Sequence, residues 1–298
     1  MLPADLSDSS QAGASQAGAS HAGSSTVDPR TLVDLDCYPI DDLDGAGGAV
    51  VERHRADLLA TGVSILPGFL RADALPGLVA ECEALAVDAY LQDVQGTPYL
   101  ELPDAAEWPD GHPRVTWSRS AVHTVAYDRF HPVTSGLRAL YEWDALMELV
   151  RRILDRPELH RYADPLGAMN LAVMREGDLL GWHFDQTDFV VSLALQPSDG
   201  GGAFENVQRL RASGSERYDV VGRVLAGEAP ELVTTVPMEA GTLMLFEGRW
   251  SLHRVTAVEG STPRHVALFG YDTKPGTMSS DLLKAIRYGR TEPEEIRA

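Results

Sequence analysis

Val50, Val51, His54, Leu58 and Leu59 recur at helical spacing, and Gly62 stands where a left-handed residue would end that helix. A short strand, Val63 to Leu66, follows, and Pro67-Gly68 turns the chain. Asp73 is placed to cap a second helix, whose Leu75, Leu78, Val79, Cys82, Leu85 and Ala86 line one stripe. Residues 92–133 lose the period and gain Pro, Gly and aromatics, as lids and binding walls do; within them 114–127 looks partly extended. Helical spacing resumes from Thr134 to Leu154. Beyond about residue 160 the texture is that of strands: Ala168–Met174, Phe189–Gln196, Leu232–Pro237, Thr242–Phe246, Leu252–Val258 and His265–Tyr271, separated by Gly-rich turns. Helices first and short strands afterwards predict a mainly β protein with flanking α. The expected architecture is a double-stranded β-helix, a jelly-roll or cupin-like barrel, braced by N-terminal helices. No linker divides the chain. One domain is expected over 29–298, with helical support at 48–155 and a barrel core at 160–275.

Residues 1–28 carry QAGAS twice in succession, then HAGSS, and cannot bury enough apolar surface to offset ordering entropy; a disordered tail is expected there, His21 included. The remaining composition, 44% hydrophobic and 23% charged, is that of an ordinary globular protein. A net charge of −19 disfavours nucleic acid and anionic membranes as partners. There is no apolar run long enough for a transmembrane helix, and MLPADLSDSS has neither the basic start nor the apolar core of a secretory signal. Two cysteines, Cys37 and Cys82, suit a reducing cytoplasm and cannot make a zinc site unaided.

The chemistry concentrates in GWHFDQTDFVVSLALQ, residues 181–196. His183 and Asp185 stand two apart at the head of a strand, so their side chains share a face while Phe184 turns away. His253 lies 70 residues on in SLHRVTAV, a strand-like segment of its own. Two histidines and one carboxylate, leaving other positions open, form the facial triad that holds ferrous iron in non-haem oxygenases. Alone, an H-x-D pair more often serves packing or solvent. Three further features add weight: His253 in its apolar-flanked strand after Gly241–Phe246, Arg264 on the next strand after a Gly260 turn, and Gly177 six residues before His183.

The pattern G-x5-H-x-D … H-x-V-x-x-V-x-x-G-x3-R resembles the Fe(II)/2-oxoglutarate-dependent dioxygenase superfamily, over roughly residues 60–275. The TGVSILPGFL entry strand and the turn Asp199–Glu205 are part of that resemblance. GWHFD and SLHRVTAV are similar to the BesD-like group, which acts on free amino acids. The resemblance implies His183, Asp185 and His253 as iron ligands, and Arg264 as the bidentate partner of the distal carboxylate of 2-oxoglutarate. It implies Fe(II), 2-oxoglutarate and O2 as cofactors, with release of succinate and CO2. In halogenases of that group a small residue replaces the carboxylate and chloride fills the vacancy; Asp185 therefore implies hydroxylation, or else desaturation or oxidative cyclisation. Many members carry a tyrosine where Met174 stands, which leaves the second cosubstrate contact unassigned. Asn170, of the same strand parity, is the candidate for it, beside a plain structural role.

For a small-molecule substrate such as a free amino acid, Arg119 is the candidate carboxylate holder, with a surface arginine as the competing reading. Phe204 and Glu205 are expected to border the substrate space, and Trp182, though turned from the metal by strand alternation, either packs the core or borders the pocket. Leu180 and Leu166 stand where a cation-recognising site would place polar groups, which favours a neutral or apolar amino acid. His265 and Arg254 should face away from Arg264 and His253 respectively. A homodimer is compatible with the sequence. Two readings compete with the oxygenase: a metal-binding cupin-like barrel without turnover, and a cupin enzyme using the triad without 2-oxoglutarate.

Overall fold

In the computed structural model the described residues are 26–101 and 107–296. The expected tail lies outside them except for Thr26–Asp28, where the Thr26 N–H donates to the Val133 carbonyl. Among the described residues no helix is long and apolar enough to cross a membrane.

Helix α1 (Gly48–Thr61) buries Val51, His54 and Leu58 and stops at Gly62, whose φ of 72° closes the last turn on the Leu58 carbonyl. Strand β1 (Val63–Leu66) and helix α2 (Leu75–Leu85) follow. Asp73 does not cap α2. Its carboxylate instead makes two charge-assisted hydrogen bonds to Arg71, at 3.0 and 2.8 Å, and Ala74 occupies the cap position. Strands β2 (Tyr90–Gly96) and β3 (Ser118–Val125) occupy much of the stretch expected to be irregular. The single helix expected over 134–154 is two, α3 (Gly136–Glu142) and α4 (Asp144–Ile153). Extended backbone at Trp143, ψ 119°, breaks them, so each half can lay its own apolar face on the core.

The strand-rich half runs β4 (His160–Arg161), β5 (Met169–Met174), β6 (Leu180–His183), β7 (Val190–Gln196), β8 (Gly200–Gly201) and β9 (Phe204–Val207), then helix α5 (Tyr218–Leu225). After it come β10 (Thr234–Val236), β11 (Leu243–Phe246), β12 (Leu252–Val255), β13 (Val258–Glu259), β14 (Arg264–Phe269), β15 (Tyr271–Asp272) and helix α6 (Asp281–Tyr288). Two sheets form the jelly roll: a major one in the order β1-β11-β7-β14-β5-β3-β2 and a minor one, β10-β9-β12-β6. Among the described residues the one bridge Ala121–Leu179, just before β6, ties the two sheets and no longer ladder does, so the barrel is two facing sheets rather than a closed ring. The segment expected as helical support is not separate from the core, because β1, β2 and β3 supply both ends of the major sheet.

Strand alternation divides the packing into layers. Leu171, Val173, Leu193, Leu243, Leu245, Ala267 and Phe269 point outward under α1–α4, in one cluster with Leu58, Leu78, Leu140 and Leu149. Truncating a fully buried member such as Leu193 to alanine should cost about 2–5 kcal/mol. The opposite face meets the minor sheet through Val63, Val122, Met174, Met244 and Phe246 against Phe204, Val236 and Val255. The minor sheet's outer face, with Trp182, Val207 and Leu252, is covered by α5 and by Tyr99. The inner layer, between the two sheets, is therefore covered on both sides by packed side chains.

Candidate metal centre

His183 ends β6 and His253 lies on β12, directly opposite in the antiparallel ladder, with ring centroids 4.2 Å apart. Asp185 lies just past the end of β6, where its N–H donates to the Gly248 carbonyl at 3.1 Å. Its Oδ1 is 3.7 Å from His183 Nε2 and its Oδ2 is 3.5 Å from His253 Nε2. One donor atom from each residue lies within 4.8 Å of the others. Neither spacing to the carboxylate is a hydrogen bond, and Asp185 Oδ2 is buried without a donor. Three lone-pair donors face one point with no proton between them, which is the environment a cation requires.

The imidazoles are aimed by the backbone. His183 Nδ1 is 2.8 Å from the Gly181 carbonyl and His253 Nδ1 is 2.9 Å from the Ser251 carbonyl. A carbonyl only accepts, so Nδ1 carries the proton and Nε2 presents its lone pair toward Asp185. Burial, and next the neighbouring His183, push the His253 pKa down to about 4, which keeps that ring in its ligating, neutral form. Gly248 is equally necessary. A Cβ at that position would lie 1.7 Å from Asp185 Oδ2, so only glycine leaves the carboxylate its place.

Arg264 opens β14 opposite Met174 and points into the same space, with Nη1 3.7 Å from Met174 Sδ. It is 7% exposed, has no carboxylate partner among the described residues, and burial lowers its pKa to about 10. A buried guanidinium without a counter-ion is costly, and an anionic ligand would relieve it. Gly202 makes room for it: a Cβ there would stand 3.0 Å from Arg264 Cδ. The donor set and this unmatched cation fit ferrous iron and a dicarboxylate.

Of the other expected site residues, Phe204 faces inward, its ring centroid 5.7 Å from that of His253 and 5.2 Å from that of Phe246. Asn170 faces inward as well. It pairs with Leu268, however, four residues along β14 from Arg264, about 13 Å at strand rise, so it does not stand beside that guanidinium. Three expectations are corrected. Arg119 has the outward parity of β3 and is clamped by Asp93, at 3.0 Å through both Nε and Nη2, and by the Gly177 carbonyl. Trp182 packs on the outer face of the minor sheet under the Arg254 guanidinium, 4.7 Å from its ring centroid. Glu205 is paired with Arg254 at 2.6 Å on that same outer face. Leu166, too, is removed from the site, packed with Ala126 and Tyr288, whereas Leu180 faces the inner cluster. His265 and Arg254 point away from their neighbours as strand alternation requires.

Sequence reasoning did not single out Gly248, Asn206 or Ser192. Gly248 reads as an ordinary turn glycine. Asn206 and Ser192 are neutral residues at inward positions of strands, where each is buried with its side-chain polar atoms unpaired. A polar residue at an inward position was the available signal, and for Asn206 it required recognising β9 first.

Residues 101–284 match the family described as Halogenase D. No curated protein matches the chain in sequence. Among solved structures, the non-haem α-ketoglutarate-dependent carbocyclase SnoK from nogalamycin biosynthesis is similar at 16% identity and a TM-score of 0.52, over 83% of this chain and 94% of that one. The epimerase SnoN in complex with Fe3+, α-ketoglutarate and nogalamycin RO is similar at 18% identity and a TM-score of 0.51, over 75% of this chain and 84% of that one. At such identities the likeness is one of fold.

Proposed function

The chain belongs to the Halogenase D family and is an Fe(II)/2-oxoglutarate-dependent oxygenase, and from that premise we propose that it hydroxylates an unactivated C–H bond of a small molecule such as a free amino acid. The observation that carries this reading is the convergence of His183, Asp185 and His253 with both imidazoles locked to backbone carbonyls. Bound iron with 2-oxoglutarate and O2 supplies the oxidising power, with succinate and CO2 as the by-products.

The chain's own contribution is positional. His183 and His253 offer Nε2, and Asp185 offers the negative charge that fills the third protein position. Arg264 takes the distal carboxylate of the cosubstrate with its guanidinium fork, at the deep end of the space. Phe204, Phe246, Val63 and Val255 keep water from the region beside His253. Asp185 supports oxygenation over halogenation, because the halogenases it resembles leave that position to a small residue and a chloride. The chain has instead kept the carboxylate and, in Gly248, the recess it needs.

Incubation with Fe(II), 2-oxoglutarate, ascorbate and a panel of free amino acids, read by mass, should give one product heavier by an oxygen atom together with succinate. If Asp185→Ala formed succinate as fast as the parent, the assignment of the triad would be abandoned.

A further inference from the structure

Asn206 sits beside His253 in the β9–β12 ladder and shares its inward face with Phe204. It is completely buried, and among the described residues neither Nδ2 nor Oδ1 has a hydrogen-bond partner. Paired residues in such a ladder hold their Cβ atoms about 5 Å apart, so the amide borders the space immediately next to the proposed iron position. A buried amide with neither end satisfied destabilises the fold relative to an apolar side chain of similar size. Across the space, the Ser192 hydroxyl on the inner face of β7 is likewise buried and unpaired.

We propose that Asn206 is a specificity-determining residue that hydrogen-bonds a neutral donor–acceptor group of the substrate, a carboxamide or a hydroxyl, on the His253 side of the iron. This rests on the oxygenase reading above and names the substrate class for that same site. A carboxylate could satisfy only the N–H side of the amide and an ammonium only its carbonyl; a carboxamide or hydroxyl satisfies both. The charge distribution agrees. On the strands of the two sheets, among the described residues, Arg119, Glu205 and Arg254 turn outward into ion pairs. Inside remain the buried Arg264, left to the cosubstrate, and the triad. Among the described strand residues of the inner faces, a charged substrate end near Asn206 would find no counter-ion besides Arg264 and Asp185, whereas a neutral polar end would find the amide.

The test uses full-length protein loaded with Mn(II) in place of Fe(II), so that nothing turns over, and with 2-oxoglutarate. Calorimetry then compares L-glutamine, L-asparagine and L-homoserine with L-glutamate, L-aspartate and L-lysine as probes. A neutral probe should bind the parent more tightly than its charged counterpart, and Asn206→Leu should weaken it at least tenfold while leaving 2-oxoglutarate affinity unchanged. Without metal or ligand, the same variant should melt a few degrees higher than the parent, because an orphaned amide has been removed. Asn206→Ser, which retains a shorter polar group, serves if the leucine variant does not fold, and should weaken the carboxamide probes as well. The proposal fails if the charged probes bind better, if no neutral probe binds at millimolar concentration, or if the Asn206 variants bind the probes as the parent does. It also fails if Asn206→Leu weakens 2-oxoglutarate to the same degree, since the amide would then serve the cosubstrate. Absence of Mn(II) or 2-oxoglutarate binding in the parent would instead overturn the oxygenase reading itself.

Discussion

Gly248→Ala tests whether the Asp185 carboxylate is held for a metal. A Cβ at position 248 would lie 1.7 Å from Asp185 Oδ2, 2.7 Å from Cγ and 3.0 Å from Cβ. Ordinary contact needs about 3.5 Å, so the carboxylate must withdraw by roughly 2 Å. Metal–oxygen bonds tolerate only about 0.2 Å, and the displaced oxygen is therefore lost as a ligand. Disturbing a residue that merely orients a ligand costs about 10–100-fold in metal affinity, and losing the ligand should cost at least the upper figure, near 3 kcal/mol. Folding should suffer little. The two closest atoms, Oδ2 and Cγ, belong to the end of a partly exposed side chain that can swing away, and Cβ, at 3.0 Å, asks the backbone to give only a few tenths of an ångström. Anaerobic Fe(II) titration against a chromogenic chelator, paired with thermal melting of the metal-free protein, separates the two effects. The expected result is a large loss of iron affinity at nearly unchanged melting temperature. Retention of parent affinity would refute the placement of Asp185. A collapse in melting temperature would show that Gly248 serves the backbone rather than the carboxylate.

Arg264→Lys should keep iron binding and weaken 2-oxoglutarate by roughly tenfold to a hundredfold, the worth of a bidentate charge-assisted pair, which an equilibrium titration of the Mn(II)-loaded protein would measure. Arg264→Leu should raise the melting temperature of the unliganded protein, because it removes a buried charge that has no partner. His265 is fully buried with both ring nitrogens unpaired, and burial holds its pKa below the usual value of 6.5. The unfolded chain protonates that ring first, so stability is full above pH 6.5 and is lost as the pH falls from there through the folded pKa. His265→Leu should flatten this acid limb in melting curves. Arg119→Ala should leave succinate formation unchanged and cost at most about 1 kcal/mol, the range of exposed ion pairs, since Arg119 is engaged with Asp93 on the outer face.

The parts of the fold legible in the sequence are those whose burial imposes a period. The α1 stripe, the Gly62 stop and strands β5, β7, β11 and β14 bury residues at regular spacing, and their expected limits lie close to the observed ones. What escaped lacks that imprint. Strand β2 alternates between exposed and half-buried residues at the edge of the major sheet, so its sequence carries no apolar signal. Strand β9 is four residues long, and its inward Asn206 interrupts the alternation that would have marked it. The break at Trp143 is invisible because the apolar spacing continues across it; only the change in backbone direction separates α3 from α4. At the site, the nearness of His183 and Asp185 could be read, but not its cause: the two do not head one strand as expected, since β6 ends at His183 and Asp185 lies in the turn before β7, while the meeting with His253 depends on a ladder between distant strands. Arg119 and Glu205 have the chemistry of a substrate site, but strand parity sends both outward; the same alternation turns Trp182 from the metal, as expected, and it packs on the outer face.

The two sheets divide the work in a way that bears on the reaction. The minor sheet and its rim carry all three metal-facing donors, each fixed locally: two imidazoles by carbonyls two residues before them, and a carboxylate by its own N–H and a glycine recess. The major sheet carries the cation, buried at the start of β14 on the face turned toward the minor sheet. A metal centre on one wall and an anion anchor on the other suit a small dicarboxylate spanning the gap. They do not suit a halide as a further anion beside the metal while Asp185 is present. Family membership alone would suggest halogenation, but charge counts against it. In the proposed centre two imidazoles would be joined by one carboxylate, so the protein would itself supply the negative charge that a halide would otherwise bring. Adding chloride would oppose Asp185 across a few ångströms of a partly buried, weakly screened site. The carboxylate, rather than the fold, is the feature on which the proposal of oxygenation rests.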